Sequence, residues 1–430
     1  MNPLPSLTLA VCLLCILLSP LAAAGLALIH QGLGRSRSAA HAMLATLCAL
    51  AIAAIATVLI GACWAGYFGG SAHSFQAFGA QWNWLGMTPW LAASHSLGNS
   101  PGAVVMCLHI FAAGLAAIIP LSTGTDRWRL APICLATALF SGFIYPLFAH
   151  WVWGGGWLAQ LAANFGISSF VDIGGAGVIQ VTGGLMALSV AWILGPRRGK
   201  YTSDAMATAI PGHNIVLVLF GCLIALVGFA GLESAASILF YGVAPEQLFG
   251  VFINAMLAAS AGCLVAVATT QIRYRKPDAS LSANGWVAGL VAGSAACAFI
   301  SPLAAILTGA IAGLLTTLMV EVFELRLLID DPGGAISVHA ASGIWGLIAA
   351  GVFRSTATTS LGDHVLGQLV GIATLLGFML PLIHGCNLLL NRILPYRVDR
   401  DGDWQGMDIR ELGAGAYPEF VIHADEFVPR

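Results

Sequence analysis

The chain has 430 residues, of which 58% are hydrophobic and only 8% charged, and its mean hydropathy is +0.88. Soluble domains carry about 25% charged residues, so a water-soluble globule, a coiled coil and a disordered chain are all excluded. With 17 Lys and Arg against 19 Asp and Glu the net charge is −2, which leaves no basic footprint for nucleic acid. A polytopic helical membrane protein remains, because a barrel would alternate weakly rather than stay apolar over long stretches. The 51 glycines fit that class, since small residues let helices approach closely in lipid.

Apolar runs fall at 6–30, 41–68, 101–121, 130–151, 172–195, 213–232, 247–271, 283–300, 302–325, 335–353 and 364–391. They predict eleven helices, each long enough to cross a core of about 30 Å at about 1.5 Å per residue. The first run lacks a basic leader and a clear cleavage site, so it reads as a retained helix rather than a signal peptide. Cys12 and Cys15 form a CxxC inside that helix, with no His or acid nearby. Like the other eight cysteines they read as small buried hydrophobes, not as a metal or redox site. No cofactor is expected.

The charges orient the helices. Arg35 and Arg37 follow the first helix, Arg127 and Arg129 the third, and Arg197, Arg198 and Lys200 the fifth. Arg273, Arg275 and Lys276 follow the seventh, Arg326 the ninth, and the remaining basic residues the eleventh, with Arg354 alone on the other side. Sixteen of the 17 basic residues thus share one face, which the positive-inside rule makes cytoplasmic. The N-terminus is expected outside and the C-terminus inside a cell (inner) membrane that the chain crosses many times. Outer loops are expected at 69–100, 152–171, 233–246 and 354–363, and their Trp82, Trp84, Trp90, Trp153 and Trp157 fit an interfacial belt. Residues 392–430 form a polar cytoplasmic tail, too short for a catalytic domain; mixed charges over 398–411 suggest that it docks on the cytoplasmic loops.

Two helices share a pattern. Gly175, Gln180 and Gly184 on the fifth match Gly334, His339 and Gly343 on the tenth, as G-x4-[Q/H]-x3-G, and both begin after aspartates, Asp172 and Asp330–Asp331. Five helices separate them, so they cross in opposite directions. An inverted 5+5 repeat follows, with halves at about 6–195 and 213–353 and an extra helix at 364–391. Such repeats place a transport site near the midplane, where Gln180 and His339 would meet.

Several segments resemble the ammonium transporter (Amt/Mep/Rh) family: AHWVWGGG at 149–156, DIGGAGVIQVTGGLMALSVAWILGPR at 172–197, the His213–Asn214 pair, NGWVAGLVAGSAAC at 284–297, DDPGGAISVHAASGIWG at 330–346 and QGMDIRELGAGAY at 405–417. The resemblance covers nearly the whole chain and implies a homotrimer of eleven-helix subunits, each with its own pore. It implies an outer vestibule that recruits ammonium, a gate of two stacked Phe, and a hydrophobic lumen with two facing His. It also implies a tail that meets PII-type signalling proteins. On this pattern Trp153 recruits the cation through its ring face, Asp172 orders the vestibule floor, Phe111 and Phe229 form the gate, and His339 is the second pore His.

The chain departs from that pattern. Gln180 stands where the first pore His belongs, Glu233 (or Ser234 beside it) replaces a vestibule Ser, and Leu226 replaces a Trp. Ile173 and Gly174 loosen the signature, and Leu412 replaces a tail His. A Gln amide bonds but does not titrate, so proton-coupled passage is expected to weaken. A carboxylate at Glu233 is expected to attract the cation more strongly than a hydroxyl, unless it is merely solvated at the start of the outer loop. His150 is expected at a cap or interface, His109 in packing or the vestibule, and Glu321 and Glu324 in solvent or against Arg326. The leading expectation is an ammonium/ammonia transporter in the lipid bilayer; the alternative is an ammonium-binding, poorly conducting sensor. An intramembrane enzyme would need a nucleophile–base set, paired acids or a metal cluster at membrane depth, and none is visible.

Overall fold

The computed structural model describes residues 4–66, 73–86, 101–354 and 360–417; Trp90 lies outside them. It is mostly helical. Among the described residues, ten helices are long and apolar enough to cross a membrane: α1 (Ser6–Leu33), α2 (Ser36–Ala65), α3 (Pro101–Gly124), α4 (Leu130–Val152), α5 (Ala176–Leu194), α6 (Ile215–Tyr241), α7 (Pro245–Tyr274), α9 (Pro302–Arg326), α10 (Ile336–Phe353) and α11 (Leu361–Ile393). The eighth expected span is α8, a helix over Ala279–Ser294 of 16 residues. At 1.5 Å per residue it rises only about 24 Å. Its early end is held by other backbone: Ile173 N–H donates to Ala295 O (3.0 Å) and Gly174 N–H to Ser294 O (2.9 Å). Asn254 Nδ2 donates to the carbonyls of Cys297 and Ile300, both at 2.9 Å. These partners satisfy the carbonyls that a helix end leaves open.

Two other details differ from the sequence expectation. The sixth helix does not stop at 232 but runs on to Tyr241, so Glu233 and Ser234 lie within it rather than in a loop. A single acid interrupts an apolar run without breaking the helix, because Ala, Leu, Ile and Phe continue on both sides of it. A hairpin interrupts the all-helical pattern: β1 (His73–Ala77) pairs antiparallel with β2 (Ala80–Leu85). Its Trp82 and Trp84 pack on Trp157 and Trp151, with ring centroids 5.6 and 4.7 Å apart. His150 ties this corner together, with Nδ1 3.2 Å from Ala65 O and Nε2 3.2 Å from Asn83 Oδ1.

The helices pack backbone to backbone. A methyl built on Gly228 of α6 would sit 1.8 Å from the amide nitrogen of Ala22 on α1. One on Gly309 of α9 would sit 2.0 Å from the carbonyl oxygen of Ala258 on α7. Lipid offers no hydrophobic drive between helices, so close van der Waals contact supplies the cohesion. The core these contacts surround runs from Cys12 to Tyr396 and draws on all eleven helices.

Candidate functional site

The starts of α5 and α10 are built on one plan. Asp172 Oδ2 accepts from the amides of Gly177 and Val178, both at 2.8 Å. Asp331 Oδ2 accepts from Ile336 N–H at 2.7 Å. In each case a glycine three residues after the acid takes a left-handed φ, 90° at Gly175 and 69° at Gly334, a conformation glycine adopts without penalty. Each helix then opens with a π turn, Ala176–Val181 or Ile336–Ala341, and these turns carry Gln180 and His339. The later glycines let the pair cross. A methyl on Gly184 would meet Ala340 N at 2.5 Å, and one on Gly343 would meet Val181 Cγ2 at 2.6 Å.

The crossing brings Gln180 and His339 into direct contact. His339 Nδ1 lies 2.7 Å from Gln180 Oε1, and both side chains are buried. An amide oxygen only accepts, so the imidazole donates from Nδ1 and keeps Nε2 as an acceptor. Gln180 Nε2 has no partner. The pair can hold a small polar solute by hydrogen bonds, but one of its two members cannot take up a proton.

Just before the start of α5, Trp153 Nε1 donates to Asp172 O at 2.7 Å. The Asp172 amide donates to Tyr241 Oη at 3.0 Å. Trp153 lies flat against Phe240, with centroids 4.6 Å apart and planes 9° apart. His109 meets both rings at 5.5 and 5.6 Å, and its Nδ1 is 2.8 Å from Tyr145 Oη. Glu233 is completely buried and neither carboxyl oxygen has a partner. Its Cγ lies where a side chain on Gly174 would begin, 2.6 Å from the position of that missing Cβ. Ser234 Oγ and Asp172 Oδ1 are also buried and unpartnered.

The structure therefore joins Trp153 to Asp172, Gln180 to His339, and Glu233 to the Gly174 backbone. Phe229 is buried and Phe111 half-buried, both in the core, and no ring contact joins them. Leu226 is half-buried. Phe240 and Tyr241 escaped sequence reasoning. The available signal was spacing: Phe229, Glu233 and Phe240 recur at i, i+4 and i+11, which puts them on one face of a helix.

The Arg-rich end is a charge network. Asp330 accepts from Arg197 through its backbone N–H (2.8 Å), Nε (2.9 Å) and Nη2 (3.0 Å), and lies 3.7 Å from Arg127. Arg197 also reaches Asp126 at 3.3 Å. Burial alone would raise Asp330, but the two guanidinium groups outweigh it and hold the carboxyl at about 2. Glu324 pairs with Lys200 and Glu321 with Arg273, rather than either with Arg326. A cavity of about 450 Å³ opens here, lined in part by Lys200, Asp278, Asn284, Asp331 and Ser337.

The tail is part of this end. Asp408 accepts from the amides of Ala40 (3.2 Å) and His41 (2.8 Å), and Glu411 accepts from Leu130 N–H (2.7 Å). These are the first turns of α2 and α4, whose own cap residues supply no side-chain bond. Two tail carboxylates thus act as their N-caps. Tyr417 Oη reaches Gln31 Nε2 at 3.2 Å and His213 Nε2 at 3.3 Å. Asp408→Ala or Glu411→Ala should each weaken docking by about 0.5–2 kcal/mol, read as faster tryptic cleavage of the tail. The His41 imidazole is the main influence holding Glu411 at about 2, against burial and with help from the Leu130 amide. A free Glu titrates at about 4.3, so this contribution is present above about pH 4 and fades as the pH falls toward 2. Cleavage of the wild-type tail by an acid protease should accelerate through that window.

The described residues fold as a polytopic helical protein in which two helix starts are built on one plan. The Ammonium Transporter Family model matches residues 10–417, and the chain belongs to that family. It is 33% identical over 424 residues to the ammonium transporter Amt2 of Archaeoglobus fulgidus, covering 94% of this chain and 86% of that one. It is 28% identical to an ammonium transporter of Bacillus subtilis, over 94% of this chain and 97% of that one. Among solved structures, a sensor Amt protein superposes with a TM-score of 0.84 at 24% identity, covering 94% of this chain and 98% of that one. Candida albicans Mep2 superposes with a TM-score of 0.76 at 21% identity, over 92% of this chain and 86% of that one. At those identities the likeness is one of fold.

Proposed function

We propose that the chain is a channel-like ammonium transporter that passes ammonia inward and leaves the proton behind. Family membership and the ammonium transporters among its relatives support the substrate. The observation that carries the mechanism is the Gln180–His339 hydrogen bond at 2.7 Å. A bare ion in an apolar lumen is costly. Neutral ammonia is not, and the amide–imidazole pair gives it donors and acceptors along the way. A proton relay through the same pair stops at Gln180, which cannot titrate.

In this reading eleven helices span the inner cell membrane, α8 included, with the inverted halves meeting at Gln180 and His339. The Arg-rich end faces the cytoplasm by the positive-inside rule. Trp153 and Asp172 then form the outer vestibule, Phe229 closes its floor, Phe111 lines the approach, and the cavity near Ser337 is the inner exit. Broad apolar flanks suit lipid and the neighbouring subunits of a homotrimer. The docked tail is the seat for a PII-type partner.

The test is an ammonium jump on proteoliposomes, with current recorded on a solid support and lumenal pH followed by a trapped dye. We expect lumenal alkalinisation faster than in protein-free vesicles and no sustained current. A sustained inward current would overturn the reading. A second reading, an ammonium-binding sensor that conducts poorly, is favoured by the unpartnered Glu233 carboxyl, which suits tight binding. It predicts a brief binding transient and no alkalinisation beyond the control.

A further inference from the structure

The outer half of α6 carries three side chains on one face: Phe229, Glu233 and Phe240. Phe240 lies flat on Trp153. Phe229, one turn before Glu233, is fully buried. Between them Glu233 has no hydrogen-bond partner for either oxygen, and Asp172 Oδ1 and Ser234 Oγ are equally unpartnered and buried nearby in the same outer half. Two departures from the family pattern turn out to be one change. Glu233 is longer than the Ser it replaces, and Gly174 has no Cβ where the Glu233 Cγ passes, 2.6 Å from that position. A larger residue at 174 would exclude this carboxyl conformer.

We propose that α6 walls an occluded acid chamber in which Phe240 is the outer lid and Glu233 takes the proton from ammonium. The proposal rests on the transport reading above and names the residue that performs its first step. Among the described residues no cationic side chain pairs with Glu233, and an ionised carboxyl buried without a partner is costly. The resting chamber therefore holds the neutral acid. When the Phe240–Trp153 stack opens, Glu233 releases its proton to the outer water and ammonium pairs with the carboxylate. When the stack closes, the ion pair loses water. Transfer of one proton from nitrogen to a Glu233 oxygen then leaves ammonia and a carboxylic acid, both neutral. Ammonia moves on past Phe229 to Gln180 and His339, and the chamber is back in its resting form. One ammonium taken from outside yields one ammonia inside and one proton returned outside, with no net charge moved.

Glu233→Gln keeps the shape and removes the acceptor. In the proteoliposome assay it should slow protein-dependent alkalinisation by about a hundredfold or more, the usual scale of a lost general base. Gly174→Ala, which displaces the Glu233 side chain while leaving the acid in place, should slow it as well, and Glu233→Asp should recover part of the Glu233→Gln loss. An electrode in the outer bath should record one proton released per ammonia taken up by the wild type, above the protein-free control. Undiminished alkalinisation in Glu233→Gln overturns the chamber and leaves the transport reading intact. No alkalinisation in the wild type overturns both. If Glu233→Gln does not fold, Phe240→Ala decides: lid loss should let water reach Glu233 and lower selection of ammonium over potassium, and unchanged selectivity overturns the lid.

Discussion

Asp330→Asn should destabilise the protein by about 3–5 kcal/mol, the range found when one partner of a buried ion pair is removed. Asp330 is the shared acceptor of Arg197 and Arg127, and all three side chains are almost fully buried. Asn keeps the shape but not the charge, and two guanidinium groups would then face a single remaining acid, Asp126, which Arg35 also contacts. The effect should appear in thermal unfolding in detergent. A compensating Arg197→Met in the Asp330→Asn background should recover part of the loss, because it removes one stranded charge. Equal losses in the single and double variants would show that the pair acts through packing rather than charge.

Gln180→His should give the protein a sustained ammonium current larger than that of the wild type. The substitution puts a titratable ring in place of the amide whose oxygen now lies 2.7 Å from His339 Nδ1. Imidazole both accepts and donates, so a proton could pass between the two rings while ammonia moves through the lumen. General acid–base groups contribute about 10²–10⁴-fold to proton transfer, so the change in charge movement should be large. His339→Ala added to Gln180→His should abolish that current. A wild type that already carries the full current would show that Gln180 is no barrier to protons.

The sequence disclosed the spans because apolar length is a physical requirement of the bilayer, and it disclosed the Gln180–His339 meeting because spacing and crossing direction fix it. It did not disclose the short α8, since its apolar run continues past Ser294 and the 173–174 backbone and Asn254 that hold its end come from elsewhere in the chain. Glu233 was placed at a loop because a charge is a poor guide to a helix end within an apolar segment. Phe240 escaped notice because its stack on Trp153 joins two segments far apart in sequence. The mixed charges over 398–411 suggested a docked tail, but nothing local to Asp408 and Glu411 reveals which amides they meet.

Those two carboxylates also tie the beginning of the molecule to its end in time. The helix starts they cap, at Ala40–His41 and Leu130, leave the ribosome several hundred residues before the caps exist. Until residues 408–411 emerge, both starts stand at the membrane surface with their amides held only by water. The tail is thus a late fastener: a chain that stops short of it inserts its helices yet leaves its earliest ends unfinished, and a quality-control protease could recognise that incompleteness without reading the pore at all.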